Sequence, residues 1–277
     1  MRNFFVIIGA CFCISQGLLG QMTSVELAAY AEAALQRADF IQALALYQEA
    51  SKLNPDHAEY RQRCLILKNV IQIRSRLEQE QDTQKWVYMA VSLRTFYMQN
   101  KIYAEALKIS QQIYDKSPTP SAMFMLGEAQ LSCAQYTQAK EFLSQAKEDS
   151  PMLQVLLGVA SAKAKDNAKA NAIAENLRKV SDISNPQFFY HAAVLEVLLG
   201  NSELALNFLG QALEKTLPSR LPAMQKAILE HPDLQSIQNI PRFTQVLQTQ
   251  SKVAESGCSA GSSCGSCPRR SGCGGKK

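Results

Sequence analysis

The residues best equipped for chemistry close the chain. Cys258, Cys264, Cys267 and Cys273 are spaced Cys-x5-Cys-x2-Cys-x5-Cys in a Gly/Ser-rich stretch. Thiols so spaced can ligate zinc or copper, form disulfides, or exchange thiols through the Cys264-Gly-Ser-Cys267 pair. Each chemistry has its own requirement. A four-cysteine zinc site usually has two close pairs, and here only Cys264 and Cys267 are close. A redox pair needs a folded frame and a helix dipole to depress its thiol pKa. A disulfide, within the tail or to another protein, needs only an oxidising compartment. A passive flexible end is the fourth reading. After Ala260 the tail has no apolar residue besides its cysteines, so residues 253–277 are expected to be disordered unless cross-linked or metallated.

No second constellation stands beside this one. His57, His191 and His231 lie far apart in sequence, without a neighbour at metal-ligand spacing. The chain contains no phosphate loop or dinucleotide fingerprint. Carboxylates such as Glu26, Glu32 and Glu128 fall on helix faces, where nothing marks an acid/base pair. These absences point to a protein that performs no catalysis and carries no cofactor, zinc or copper on the tail excepted. The net charge of +5 is mild, and no basic stripe is interleaved with aromatics, so nucleic acid is not the expected partner.

The compartment decides how the cysteines are read. Arg2 precedes an apolar run from Phe4 to Ile14, and small residues follow at Ser15, Gly17 and Gly20. A positive start, a short apolar stretch and a small-residue exit make residues 1–20 a secretory signal peptide, cleaved after Gly17 or Gly20. The run falls short of the roughly 20 apolar residues that span a bilayer. A first core helix is the alternative, and "IIGAC" at Ile7–Cys11 offers a lipidation box as another. Export to a periplasm, cell envelope or secreted space removes Cys11 and Cys13 and leaves six of eight cysteines, an even number that permits disulfides.

The elements between these ends are helical. Ala, Leu, Gln, Lys and Glu dominate residues 24–217, and strand-type alternation is missing. Short breaks ("ADF", "QNKIY", "SCAQY", "KDN", "LGN") separate amphipathic stretches, the pattern of helical hairpins. Ala43, Ala106, Ala139, Ala170 and Ala205 recur 63, 33, 31 and 35 residues apart. Around Ala139 stand Leu126, Gly127, Tyr136, Leu143, Ala146 and Pro151; Tyr30, Ala31, Phe40, Tyr47, Ala50 and Pro55 keep the same offsets around Ala43. The doubled first gap hides a degenerate repeat near 56–82.

This pattern resembles the tetratricopeptide repeat (TPR) family, whose unit is a 34-residue hairpin with Leu-Gly in its first helix, Ala in its second and a closing Pro. The resemblance implies an all-α fold: an α-solenoid of stacked helix–turn–helix hairpins over 22–218. Gly127 and Ala139 are small where helices approach, and Pro55, Pro118 and Pro151 end second helices. Residues 219–252 form C-terminal capping helices, with Leu234, Ile237, Ile240, Phe243 and Val246 docking inward.

By the same resemblance, set positions of each first helix line a concave groove. Here they are Tyr88, Val91, Met98, Phe124, Leu131, Val155, Val159, Tyr190 and Val194. The Lys and Asn of a carboxylate clamp are missing from them, so an apolar or amphipathic protein segment is the expected partner. The competing reading puts these residues in the core. Arg61, Arg63, Lys68, Arg74 and Arg76 form a basic helix, read as a solvated face or as a contact for an anionic partner or membrane surface. A membrane is otherwise met only through the signal segment or a lipid anchor. Cys64 and Cys133, in different hairpins, are expected as buried small hydrophobes. The expected function is an exported scaffold that binds a protein through the groove. The alternatives are a metal- or thiol-handling protein acting through the tail, and a cytosolic TPR cochaperone with a false signal.

Overall fold

The structure, a computed structural model, describes residues 22–146, 150–180 and 183–254. The expected signal peptide at 1–20 and Cys258, Cys264, Cys267 and Cys273 lie outside these residues. The described residues form helices and no strand. They fall into two compact units, divided between Leu177 and Arg178.

The first unit contains α1 (Ser24–Gln36), α2 (Phe40–Leu53), α3 (Ala58–Gln79), α4 (Thr83–Gln99), α5 (Tyr103–Lys116), α6 (Pro120–Ser132), α7 (Tyr136–Leu143), α8 (Pro151–Lys163) and α9 (Asn167–Leu177). The second contains α10 (Pro186–Leu198), α11 (Ser202–Glu214), α12 (Leu221–Glu230) and α13 (Pro241–Leu247), with short 3-10 turns at Pro218–Arg220 and Pro232–Ile237. Starts follow local chemistry. Thr23 and Glu26 close a capping box on α1, and Asp39 and Asp82 cap α2 and α4. Pro120, Pro151 and Pro186 each occupy a first helical turn, where a missing N–H costs nothing. Pro151 therefore opens α8; it does not end the preceding second helix, which stops at Leu143.

Five helix pairs share one turn. Ala38, Lys101, Ala134, Lys165 and Gly200 have φ of 59°, 59°, 58°, 65° and 83°, the positive φ values among the described residues. In each turn the left-handed residue donates its N–H three residues back, and the next residue donates five back. Ala134 N–H meets Leu131 C=O at 3.0 Å and Gln135 N–H meets Gln130 C=O at 2.9 Å. The same two bonds recur at Ala38 and Asp39, Lys101 and Ile102, Lys165 and Asp166, and Gly200 and Asn201. This is the Schellman ending, which satisfies carbonyls the helix leaves open. Ala43, Ala106, Ala139, Ala170 and Ala205 each follow the left-handed residue by five and are 0% exposed. The regular spacing thus records five identical turns.

The degenerate repeat expected near 56–82 is one helix of 22 residues, α3, without such a turn on either side. Two helices, α3 and α4, fill a doubled gap that a full hairpin would fill with three. Apolar residues spread along α3 (Tyr60, Cys64, Leu67 and Val70 are buried) keep it one continuous helix packed on α2 and α4.

Four of the five hairpins set a small residue against a larger one; in the fourth, Gly158 and Ala174 are both small. Seven residues before each left-handed turn stand Ala31, Arg94, Gly127, Gly158 and Ala193. Nine after it stand Tyr47, Ser110, Leu143, Ala174 and Leu209. A Cβ on Gly127 would meet Leu143 Cδ2 at 2.7 Å, so the glycine is what admits the buried leucine. In the α4/α5 hairpin the order reverses: bulky Arg94 faces small Ser110.

In the second unit, α11 packs on α10, and the C-terminal segment folds back on both. Leu234, Ile237 and Phe243 are buried; Ile240 and Val246 are half-buried.

Candidate partner-binding surface

The expected groove residues divide sharply by burial. Val155 (0%), Val159 (4%) and Val194 (1%) are core residues and offer nothing to a partner. The cause is legible in their helices. α8 reads PMLQVLLGVASAK and α10 reads PQFFYHAAVLEVL, apolar on nearly every face, and a helix apolar all round is buried all round. Tyr190 is half-buried, with its ring 5.7 Å from that of His231 at the start of the C-terminal segment. On α10 that face is occupied by the chain itself.

The remaining five lie on α4 and α6 in the first unit. Tyr88 is 77% exposed, and Val91, Met98, Phe124 and Leu131 are half-buried. A polar strut links these helices. Arg94, buried on α4, donates from Nε to Ser110 Oγ at 3.0 Å, and from Nη2 to Met125 C=O at 3.0 Å and Glu128 Oε2 at 2.5 Å. Ser110 Oγ in turn donates to Ala106 C=O at 2.6 Å. Removing water from an arginine is expensive unless its donors are satisfied, and here α5 and α6 satisfy them. The apolar surface of α4 and α6 is therefore mounted on a fixed frame.

The basic helix α3 is largely engaged within the fold. Arg63 pairs with Glu32 at 3.2 Å and donates to Asn100 Oδ1 at 3.1 Å. Gln36 Nε2 donates to Asn100 C=O at 2.8 Å, and the Tyr47 hydroxyl donates to Glu32. Burial, with the Glu32 carboxylate beside it, pushes the Tyr47 phenol well above its usual pKa. The Arg74 guanidinium lies 5.0 Å from the Phe40 ring centroid, and Arg61 bonds Pro55 C=O. Lys68 and Arg76 are exposed.

Cys64 is buried and Cys133 half-buried; both are free thiols, and burial raises both thiol pKa values. Raised thiols are poor nucleophiles at neutral pH. Among the described residues no three His, Cys, Asp or Glu side chains gather as a metal site. No described helix is long and apolar enough to cross a membrane.

Sequence reading missed two buried charges, Arg94 and Glu196. Glu196 is 2% exposed and accepts from Arg178 Nε at 2.8 Å, Arg178 Nη2 at 2.6 Å and Asn201 Nδ2 at 2.8 Å. Aligning the hairpins on their turns would have found Arg94, a large charged residue where Ala31, Gly127, Gly158 and Ala193 are small.

These turns, alanines and small-against-large pairs define an all-α repeat protein built of tetratricopeptide-type hairpins. Solved structures similar to this chain include three described as TPR proteins. YrrB, described as a TPR protein with an unusual peptide-binding site, is 17% identical and aligns over 70% of this chain and 87% of its own, with a TM-score of 0.32. A thermophilic TPR protein of Thermus thermophilus is 17% identical over 81% and 99%, with a TM-score of 0.40. A tetratricopeptide repeat protein of Parabacteroides merdae is 13% identical over 82% and 98%, with a TM-score of 0.43. Likeness at this level transfers neither site nor partner. No family model matches the sequence, and no curated protein does.

Proposed function

We propose that the chain is an exported, non-enzymatic scaffold that holds a protein partner on the α4/α6 surface of its first unit. The observation that carries this is the pairing of Tyr88, 77% exposed, with half-buried Val91, Met98, Phe124 and Leu131 around the Arg94–Glu128 strut. Apolar side chains held on a rigid frame suit an apolar or amphipathic segment of a partner, which binds with little ordering of the receptor. Export rests on the charge, length and small-residue exit of residues 1–20.

Capture of a stoichiometric partner from envelope extract tests the surface. Tyr88→Asp together with Phe124→Asp should abolish capture while the circular dichroism of the chain stays helical. Capture that survives both changes would remove α4 and α6 as the site. Fractionation, with N-terminal sequencing of the mature chain, tests export; a chain found in the cytosol beginning at Met1 would overturn it.

A second reading rests on the number of thiols at Cys258, Cys264, Cys267 and Cys273, enough to ligate one zinc or copper ion per chain although only Cys264 and Cys267 are close. Protein purified without chelator should then lose its metal when cut at Ser256. Metal-free protein would leave the tail to disulfides or to flexibility.

A further inference from the structure

The outer face of α1 breaks a rule kept by the rest of the first unit. Eight residues before the left-handed turn, the later hairpins carry Leu93, Leu126 and Leu157, exposed by 3%, 1% and 5%. The same position in the first hairpin is Tyr30, and it is 60% exposed. In the later hairpins the helix that carries this position packs on the helix before it; no described element precedes α1. A stacked repeat normally ends in a polar face. Here an aromatic residue stands where the stack would continue.

The neighbours of Tyr30 on that face have an internal symmetry. Glu26, Tyr30 and Ala33 of α1, with Arg37 capping its C-terminus, fall at i, i+4, i+7 and i+11 along a single stripe, and all four are exposed. The stripe differs from the one that carries the partner-binding positions. Let a two-fold axis cross α1 between Ala31 and Glu32, with a second α1 running antiparallel. Tyr30 then meets the partner's Ala33, a large residue against a small one, and the partner's Tyr30 meets Ala33. Glu26 meets the partner's Arg37 at one end, and the same pair forms at the other. One patch thus complements itself in shape and in charge, as an isologous interface requires. The capping box uses Glu26 Oε2, leaving Oε1 for a guanidinium. Ala29, also exposed, extends the apolar area beside the stripe.

We propose that the exposed stripe of α1 is a homodimerisation surface, and that its occupant is the α1 of a second copy of this chain. Charge complementarity selects that occupant. The polar ends of the stripe fix an antiparallel register, since a parallel one sets Glu26 against the partner's Glu26 and Arg37 against the partner's Arg37, and like charges in contact oppose association.

Sedimentation equilibrium of the full chain, under reductant so that tail disulfides cannot link copies, should show a monomer–dimer equilibrium. Tyr30→Asp should weaken the dimer at least tenfold. Arg37→Glu and Glu26→Arg should each do the same, because each faces like charges at both ends of the helix pair. The deciding arm mixes these last two variants. At both ends of the mixed pair a carboxylate then faces a guanidinium, and a one-to-one heterodimer should form from two weakly associating proteins. Circular dichroism and melting curves show that each variant is folded before mixing. A monomeric wild type overturns the proposal, whether residues 1–21 or another partner covers the stripe. So does a dimer unaffected by all three changes, or a mixture that remains monomeric.

Discussion

Four of the five hairpin turns hold a side chain at a left-handed φ where glycine would sit without strain. Ala38, Lys101, Ala134 and Lys165 each carry a Cβ that crowds the following carbonyl, at about 1 kcal/mol per residue. Replacing Lys101 or Ala134 with Gly relieves that crowding but frees the unfolded chain, so a net gain of up to about 0.5 kcal/mol is expected. Gly200→Ala, at φ 83°, should lose about 1 kcal/mol. Denaturant melts of the variants check both signs. Arg94 and Ser110 make a sharper case. Arg94→Ala removes the guanidinium that Ser110 Oγ, Met125 C=O and Glu128 share and opens a void between α4 and α5. A loss of about 2–4 kcal/mol follows. If the pair is a reversed form of Gly127 against Leu143, then Arg94→Gly combined with Ser110→Leu should recover at least half of it. Double-mutant melts that show only additive losses would rule out that equivalence.

At the scale of elements, hairpins were legible because a strict local rule writes them. A buried alanine five residues after each left-handed turn leaves a periodic trace in the sequence. The single helix α3 was less legible, because the doubled spacing of Ala43 and Ala106 says that something is inserted but not how many helices it forms. The groove was legible only in part. Position within a first helix marks a face, but burial depends on what packs against it. On α10 the chain's own C-terminal segment does so, a contact no local pattern announces. The apolar composition of α8 and α10 was the available sign. Links between hairpins also include ion pairs with a pH signature. Asp166 accepts from Lys140 Nζ of α7 at 3.2 Å and from Lys169 N–H at the start of α9 at 3.3 Å, and these bonds hold its carboxyl below the usual 3.8. A depressed folded pKa gives stability that is present above the unfolded value and disappears as pH falls through the folded one. The Asp166 contribution should therefore be intact at neutral pH and fade below about pH 4. In Asp166→Asn that part of the acid-melting curve should flatten. Unchanged acid sensitivity would show that the pair is solvent-screened and idle.

For the molecule as a whole, a scaffold must let folding and capture be separated by substitution, and burial predicts where. Val155 is 0% exposed and Val194 1%. An aspartate at either site would put an unpaired charge into an apolar core, which belongs to the rare class of changes losing more than about 4 kcal/mol. Tyr88, 77% exposed, belongs to the opposite class; Tyr88→Asp should alter stability by no more than about 0.5 kcal/mol. All three residues belong to the set of positions expected to face the groove, so sequence position alone gives one expectation for all three. The structure gives two. Val155→Asp and Val194→Asp should lower or abolish the cooperative melt and lose the partner only through unfolding. Tyr88→Asp should leave the melt in place and lose the partner directly. Measuring melting and capture on the same three preparations decides between them. If Tyr88→Asp melts like wild type and still captures the partner, the surface that works lies elsewhere. If Val155→Asp folds and binds normally, α8 is not the buried helix its composition and exposure describe.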